Sequence, residues 1–433
     1  MHVTKNRTTD GSCAAPAPAA GGSEEAKGPD EAAAPSRAAA VTRLHLSSFR
    51  ALRDRTVPLG PVTVLTGPSG SGKSAVLEAH EALARLGGGE ALGEVFGRAS
   101  GGPGAYVPRR ARPDAEGRRG FRLGCTVDGP AGPVRFDLAV QAEPELRIVG
   151  ERLTVPGGRT LLATALRDPA RPAVQAEWHS AGTGRVTRAR LPADRLATAL
   201  LPLRVAGGTE EERRVLEAAE QVVVALRSAF ACDPRPETMR DPVPVGDTLL
   251  RGGCDNLAAV LRRTRTECAI RYGHLVDALS AGFADPVAEV VADLPDEHSD
   301  RGRVRALIVG PGPGPGSGSG PGAGHPCVRT PLEWLGDGEL RYAALALVLL
   351  TGPGVLSMDP AQEVLPARQA MTLLADGLDR ALDARQTAEL VALAVRMGKR
   401  GHVRLLAAVS DTGTAAAEAA RHPDVSLVDL GGE

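Results

Sequence analysis

Gly67-Pro68-Ser69-Gly70-Ser71-Gly72-Lys73-Ser74 combines glycines, hydroxyls and one lysine in the order G-x-x-x-x-G-K-S. The chemistry open to such a stretch is phosphate binding. Glycines let backbone amides turn inward around an anion, and a helix starting at the lysine adds the partial positive charge of its N-terminus. Lys73 would reach the β- and γ-phosphates of a nucleotide, and the Ser74 hydroxyl would ligate Mg²⁺. The apolar run Val62-Thr63-Val64-Leu65-Thr66 leads in, and Val76, Leu77, Leu83 and Leu86 at helical spacing lead out. Strand, loop and helix are the context this chemistry needs. A nucleotide with Mg²⁺ is the expected ligand.

The rest of the composition sets bounds. At 433 residues the chain holds one large domain or two to three ordinary ones. Its net charge of −1 gives no global pull towards nucleic acid or membrane. Lys73 is one of only four lysines, beside Lys5, Lys27 and Lys399, in a chain whose positive charge is otherwise arginine. The cysteines (Cys13, Cys125, Cys232, Cys254, Cys268, Cys327) show no C-x-x-C spacing, so thiols in a reducing cytoplasm are expected. The N-terminus lacks the apolar core of a signal peptide, and the run Ala343–Leu350 is too short to cross a bilayer. A soluble cytoplasmic protein with no membrane partner is the expectation.

The elements that must position the loop can be read coarsely. Residues 1–40, rich in Ala, Pro, Gly and Glu, bury too little to offset their ordering entropy and read as a disordered tail. Residues 41–49 and 62–67 read as strands. Short alternating runs through 121–190 predict an antiparallel β lobe. Residues 209–231 and 255–280 are helical by period, within a helical insertion over 200–300. The Gly/Pro-rich stretch 310–324 reads as an overgrown hairpin loop between strand-like runs at 303–309 and 327–330. From residue 338 a helix, a strand, a helix and a strand follow in βα order. The fold class expected is α/β, with one head over 41–433 interrupted by insertions.

The flanks of the loop add a resemblance. The stretch 44–83, with a strand, the pair Phe49-Arg50 and a second strand before the loop, resembles the opening of RecF/OLD/SMC-type ATPase heads of the ABC class. "LGDGELRYAALALVLL" (335–350) resembles the family's signature motif, and 239–263 is similar to the connecting region of predicted ATPases in that group. The resemblance implies ATP-dependent dimerisation, with Gly67–Ser74 and Asp376 binding nucleotide in cis and Gly336, Asp337, Gly338, Glu339 and Asp383 supplied in trans. Asp376, ending "TLLAD", takes the place of the acid that holds Mg²⁺ through water. Asp359, ending "VLSMD", is the alternative, and choosing Asp376 makes 355–370 an insertion. Ala381-Leu382-Asp383 matches the loop that crosses to a partner.

Three positions depart from the family's pattern. The signature Ser is Gly336, the Glu after the acid is Gly377, and the switch His falls at Ser410. Phosphoryl transfer rests on positioning and charge stabilisation, and losing one such donor costs about 10²-fold or more. One reading is therefore an ATP-gated dimerising switch with weak or lost hydrolysis. In the other, Asp379, Asp337 or Glu339 substitutes and a slow ATPase remains, coupled to DNA repair or maintenance or to anti-phage defence. A third reading, a nucleic-acid clamp, draws on the six arginines of 108–122, set against two acids, and on Arg262, Arg263, Arg265 and Arg271. DNA and an unidentified effector protein are the partners these alternatives name.

Overall fold

The structure, a computed structural model, describes residues 38–181, 185–293, 302–311, 327–358, 370–411 and 413–432. The stretch 1–37, the centre of the Gly/Pro-rich loop (312–326) and Asp359 lie outside the described residues.

Apolar runs without alternation form a five-stranded parallel sheet, in the order Ala229–Ala231, Met371–Asp376, Val403–Ala408, Val62–Thr66, Val425–Asp429. Every residue of Val62–Thr66 is buried. That is the signature of a strand covered on both faces. Because side chains alternate along a strand, its two faces feed two separate cores. Leu65, Leu374 and Leu406 join the core shared with helices Lys73–Gly87 and Glu210–Arg227. Val64, Leu373, Leu405 and Ala407 join the core of helices Leu257–Glu267, Asp337–Leu349 and Ala384–Lys399.

The antiparallel lobe is larger than the alternating runs of 121–190 suggest. Eight strands lie in the order Leu52–Pro58, Ala40–Phe49, Arg119–Asp128, Val134–Glu143, Arg147–Val155, Arg159–Ala165, Ala173–Ala181, Arg185–Pro192. The two strands that precede the phosphate loop thus form one side of this sheet. In Val134–Glu143 the alternation is plain: Val134, Phe136, Leu138 and Val140 point into the core, and Arg135 points out. Phe49, Phe96, Tyr106 and Phe121 pack ring against ring with centroids 4.9–5.9 Å apart, joining the strand before the loop to the lobe. Buried Gln221 on Glu210–Arg227 donates to the carbonyls of Val127 (3.2 Å) and Gly132 (2.7 Å) and accepts from the Ala131 amide (2.8 Å). Its amide fixes the helix beneath the hairpin at 128–134.

The region 200–300 is not uniformly helical. The helical period of 209–231 ends at Arg227, and Ala229–Ala231 becomes a strand pairing with Thr372–Leu374. Burial beside Met371–Asp376 outweighs the weak helical pattern of "AFA". The helix expected over 255–280 is two helices, Leu257–Glu267 and Ala269–Gly282, broken at Cys268 with φ −149°. Arg271 therefore sits on a different helix from Arg262, Arg263 and Arg265. A small third sheet is centred on Arg303–Gly310, which pairs with Val243–Pro244, Glu289–Asp293 and Val328–Pro331. Gly310 pairs antiparallel with Val328, so the strand-like runs on either side of the Gly/Pro-rich stretch are neighbours.

Candidate functional site

The phosphate loop leaves the C-terminal end of Val62–Thr66, inside the parallel sheet, where open α/β sheets place their ligands. Gly67, Gly70 and Gly72 all have positive φ (123°, 85° and 104°). Two of them are also steric necessities. A Cβ on Gly72 would stand 2.6 Å from the Leu52 side chain, and one on Gly67 would stand 2.9 Å from the Gly431 amide nitrogen. Strand Leu52–Pro58 and the segment after Val425–Asp429 therefore press on the loop from either side. The helix Lys73–Gly87 has no acidic residue in its first turn, so no side chain of that turn offsets its N-terminal charge.

The loop's side chains fit an anion. Lys73 Nζ donates to the carbonyls of Gly67 and Pro68, folding over the loop's concave side. The Ser71 hydroxyl is buried with no hydrogen-bond partner among the described residues. A buried hydroxyl left without a partner is costly, and a phosphate oxygen would satisfy it.

Ser74 and Asp376 line one cleft of about 610 Å³, together with Arg50, Glu78, Asp233 and the glycines Gly252 and Gly253. Asp376 ends its strand opposite Ala408 on the neighbouring strand. Among the described residues no three His, Cys, Asp or Glu side chains gather as a metal cage. Mg²⁺ would rest on the Ser74 hydroxyl and the Asp376 side, with nucleotide and water oxygens completing its shell, its usual mode with phosphates. Arg50, at φ 52°, pairs with Glu78 and places its guanidinium 4.8 Å from the Tyr106 ring centroid.

Immediately after Asp376 the chain turns. Gly377 has φ 64°, and its carbonyl accepts from Arg341 Nη2 (3.1 Å) and from the Arg380 amide (3.0 Å). A Cβ at 377 would stand 3.0 Å from Arg380 Nη2. Position 377 is thus a left-handed turn and not only a residue without a side chain. Arg341, on the helix that resembles the signature helix, is 3% exposed. Its Nη1 donates to Asp233 Oδ1 (3.0 Å) and to the Pro234 carbonyl (2.5 Å). One guanidinium therefore joins that helix to two strand ends.

The acids considered as substitutes each hold a partner within the fold, as Asp233 does. Asp379 accepts from the Ser410 amide (3.1 and 3.3 Å), pinning the loop after Val403–Ala408. Asp337 pairs with Arg240 at 2.7 Å, and Glu339 accepts from the Gly336 amide at 3.0 Å. Asp383 caps helix Ala384–Lys399, accepting from the Gln386 amide at 2.7 Å. Gly336, Asp337, Gly338 and Glu339 form the start of helix Asp337–Leu349, with Gly336 and Asp337 exposed. Ser410 is also exposed.

Sequence reasoning missed Asp233, Arg341 and the glycine pair 252–253. Asp233 sits two residues past the short strand Ala229–Ala231, and no local pattern announces that strand. In the arginine-rich loop, Arg118 pairs with Asp114 (2.8 Å) and Glu116 (2.7 Å), and Arg119 with Glu143 (2.6 Å). Arg109, Arg110, Arg112 and Arg122 are exposed. Arg263 and Arg265 pair with Glu267 and Glu289. No helix among the described residues is long and apolar enough to cross a membrane.

No family model and no curated protein matches the chain. Solved structures do. An Smc head bound to the C-winged helix domain of ScpA is 14% identical with a TM-score of 0.40, covering 88% of this chain and 92% of that chain. An SMC head domain from Thermotoga maritima is 13% identical with a TM-score of 0.38 and the same coverage. The recombination mediator protein RecF with ATP is 12% identical with a TM-score of 0.30, covering 86% of this chain and 93% of that chain. The chain's own architecture, a phosphate loop inside a five-stranded parallel sheet with an eight-stranded antiparallel lobe beside it, is an α/β fold built around a phosphate-binding loop.

Proposed function

We propose that the protein is an ATP- and Mg²⁺-binding switch that pairs head to head with a second copy when nucleotide is bound, and hydrolyses it weakly or not at all. The observation that carries this reading is the contrast across one cleft. Ser74, at the end of an intact phosphate loop, and Asp376 line the same cleft, while position 377 is a glycine in a left-handed turn. Mg²⁺, when bound, supplies charge neutralisation at the phosphates. The chain's own groups do the rest: loop amides and Lys73 hold the phosphates, and Asp376 holds water on the metal side. At 377 no carboxylate orients an attacking water. The exposed start of helix Asp337–Leu349, with Gly336 and Asp337, is the surface offered to the second copy.

The test is phosphate release measured beside size exclusion, with and without DNA. The expected result is a doubling of mass with ATP, absent in Lys73→Ala, with phosphate release at background. Robust turnover would overturn the switch.

A slow ATPase is the second reading, and Asp233 favours it. Its carboxylate lines the same cleft as Asp376, on the neighbouring strand end. Turnover that is slow but lost in Asp233→Asn would select this reading. A DNA-binding role would rest on Arg109, Arg110, Arg112 and Arg122, and a salt-sensitive gel shift lost on their removal is its test.

A further inference from the structure

Cys232 and Cys254 face each other in the wall of the cleft, with sulfurs 3.6 Å apart. Cys232 is 2% exposed and Cys254 is fully buried. The backbone around them is already in register. The Asp233 amide donates to the Gly252 carbonyl at 2.9 Å, and the Arg235 amide to the Gly253 carbonyl at 3.0 Å. Cys254 itself is held at φ 57°, a conformation side-chain-bearing residues seldom adopt. Buried Asn256 keeps the loop in that shape through bonds to the Arg251 amide and to the Asp247 and Leu249 carbonyls. To bond, the two sulfurs must close from 3.6 Å to about 2.05 Å.

We propose that Cys232 and Cys254 are a redox modification site, closing to a reversible disulfide when the protein meets a two-electron oxidant of the peroxide class. Cys232 lines the cleft and is the thiol an oxidant reaches first. Its sulfur, having lost its proton, takes one oxygen of hydrogen peroxide. The O–O bond breaks, and hydroxide leaves with that proton as water. The Cys254 sulfur then attacks the Cys232 sulfenic sulfur. The S–S bond forms, the S–O bond breaks, and a second water carries off the Cys254 proton. The two thiols give up two electrons and one peroxide becomes two waters. The hydrogen bond with the Cys232 sulfur, together with burial, holds the Cys254 thiol well above its usual range, which leaves the first attack to Cys232. The bond would staple the strand end carrying Asp233 to the loop carrying Gly252 and Gly253, fixing one wall of the cleft. The site stands on sulfur geometry and is independent of the ATP reading.

The experiment treats the full chain with hydrogen peroxide, denatures it in iodoacetamide and maps its peptides. The expected result is loss of two alkylatable thiols and a peptide linking Cys232 to Cys254, undone by dithiothreitol. In Cys254→Ser, dimedone should label Cys232; in Cys232→Ser, Cys254 should stay reduced. Both thiols alkylated under conditions that oxidise the exposed Cys327 would overturn the proposal, as would Cys232 linked to any other cysteine. The wild-type measurement decides the matter even if a variant fails to fold.

Discussion

Gly338 lies so close to Ala381 that a Cβ on the glycine would stand 2.3 Å from the Ala381 carbonyl oxygen. Ala381 itself is held at φ 61°. The start of helix Asp337–Leu349 and the turn after Asp376 therefore touch backbone to backbone, and only glycine permits the approach. Gly338→Ala must push the two apart, at the cost of about 1–3 kcal/mol typical of overpacking. Urea denaturation should show the loss, and an unchanged midpoint would refute the contact.

Restoring the absent carboxylate should fail. Gly377→Glu puts a side chain at φ 64°, about 1–2 kcal/mol unfavourable, with its Cβ 3.0 Å from Arg380. The expected outcome is a lower melting temperature and no gain in phosphate release. A tenfold rise in turnover would show that the turn yields to the side chain.

Nucleotide affinity should separate the two sides of the cleft. Lys73→Ala removes a charged donor at the phosphate loop and should weaken binding of a fluorescent ATP analogue by about 10- to 100-fold, whether or not Mg²⁺ is present. Asp376→Asn should weaken binding only when Mg²⁺ is present. Equal losses with and without the metal in Asp376→Asn would remove Asp376 from the metal side.

His80 gives the fold a predictable acid sensitivity. It is fully buried on helix Lys73–Gly87, and neither ring nitrogen has a hydrogen-bond partner among the described residues. Burial, helped by Arg404, lowers its pKa from 6.5 to about 4. The folded state thus binds this proton less readily than the unfolded one. Its contribution is complete above pH 6.5 and is lost as pH falls towards 4. Between pH 7.5 and pH 5 this amounts to about 2 kcal/mol. His80→Leu should remove that slope in urea titrations. An unchanged slope would mean that another group carries it.

The cleft's two ends were unequally legible in the sequence. The phosphate loop could be read because its chemistry is local: glycines, Lys73 and Ser74 do their work within eight residues. Met371–Asp376 and Val403–Ala408 could be read because buried parallel strands are continuous apolar runs. The opposite wall could not. Asp233 reaches the cleft only because three residues, Ala229–Ala231, pair with Met371–Asp376 some 140 positions away. Arg341 looks like an ordinary surface arginine on a helix until the strand ends at Asp233 and Gly377 close over it. Asp379 and Asp383 show the reverse. Their spacing from Asp376 invites a chemical reading, yet their carboxylates accept backbone amides of a loop and a helix start.

The pairing of the phosphate-loop strand has a consequence for biosynthesis. Val62–Thr66 is flanked by Val403–Ala408 and Val425–Asp429, so a nascent chain carries a strand that is fully buried in the finished fold with neither neighbour until translation has passed residue 403. The antiparallel lobe, whose strands mostly join their neighbours in sequence, can be complete long before. The order of synthesis therefore separates an early-folding lobe from a late-closing nucleotide core, with an exposed strand in between. Chains stalled before residue 403 should be prone to aggregate, and should need a holding chaperone that the finished protein does not.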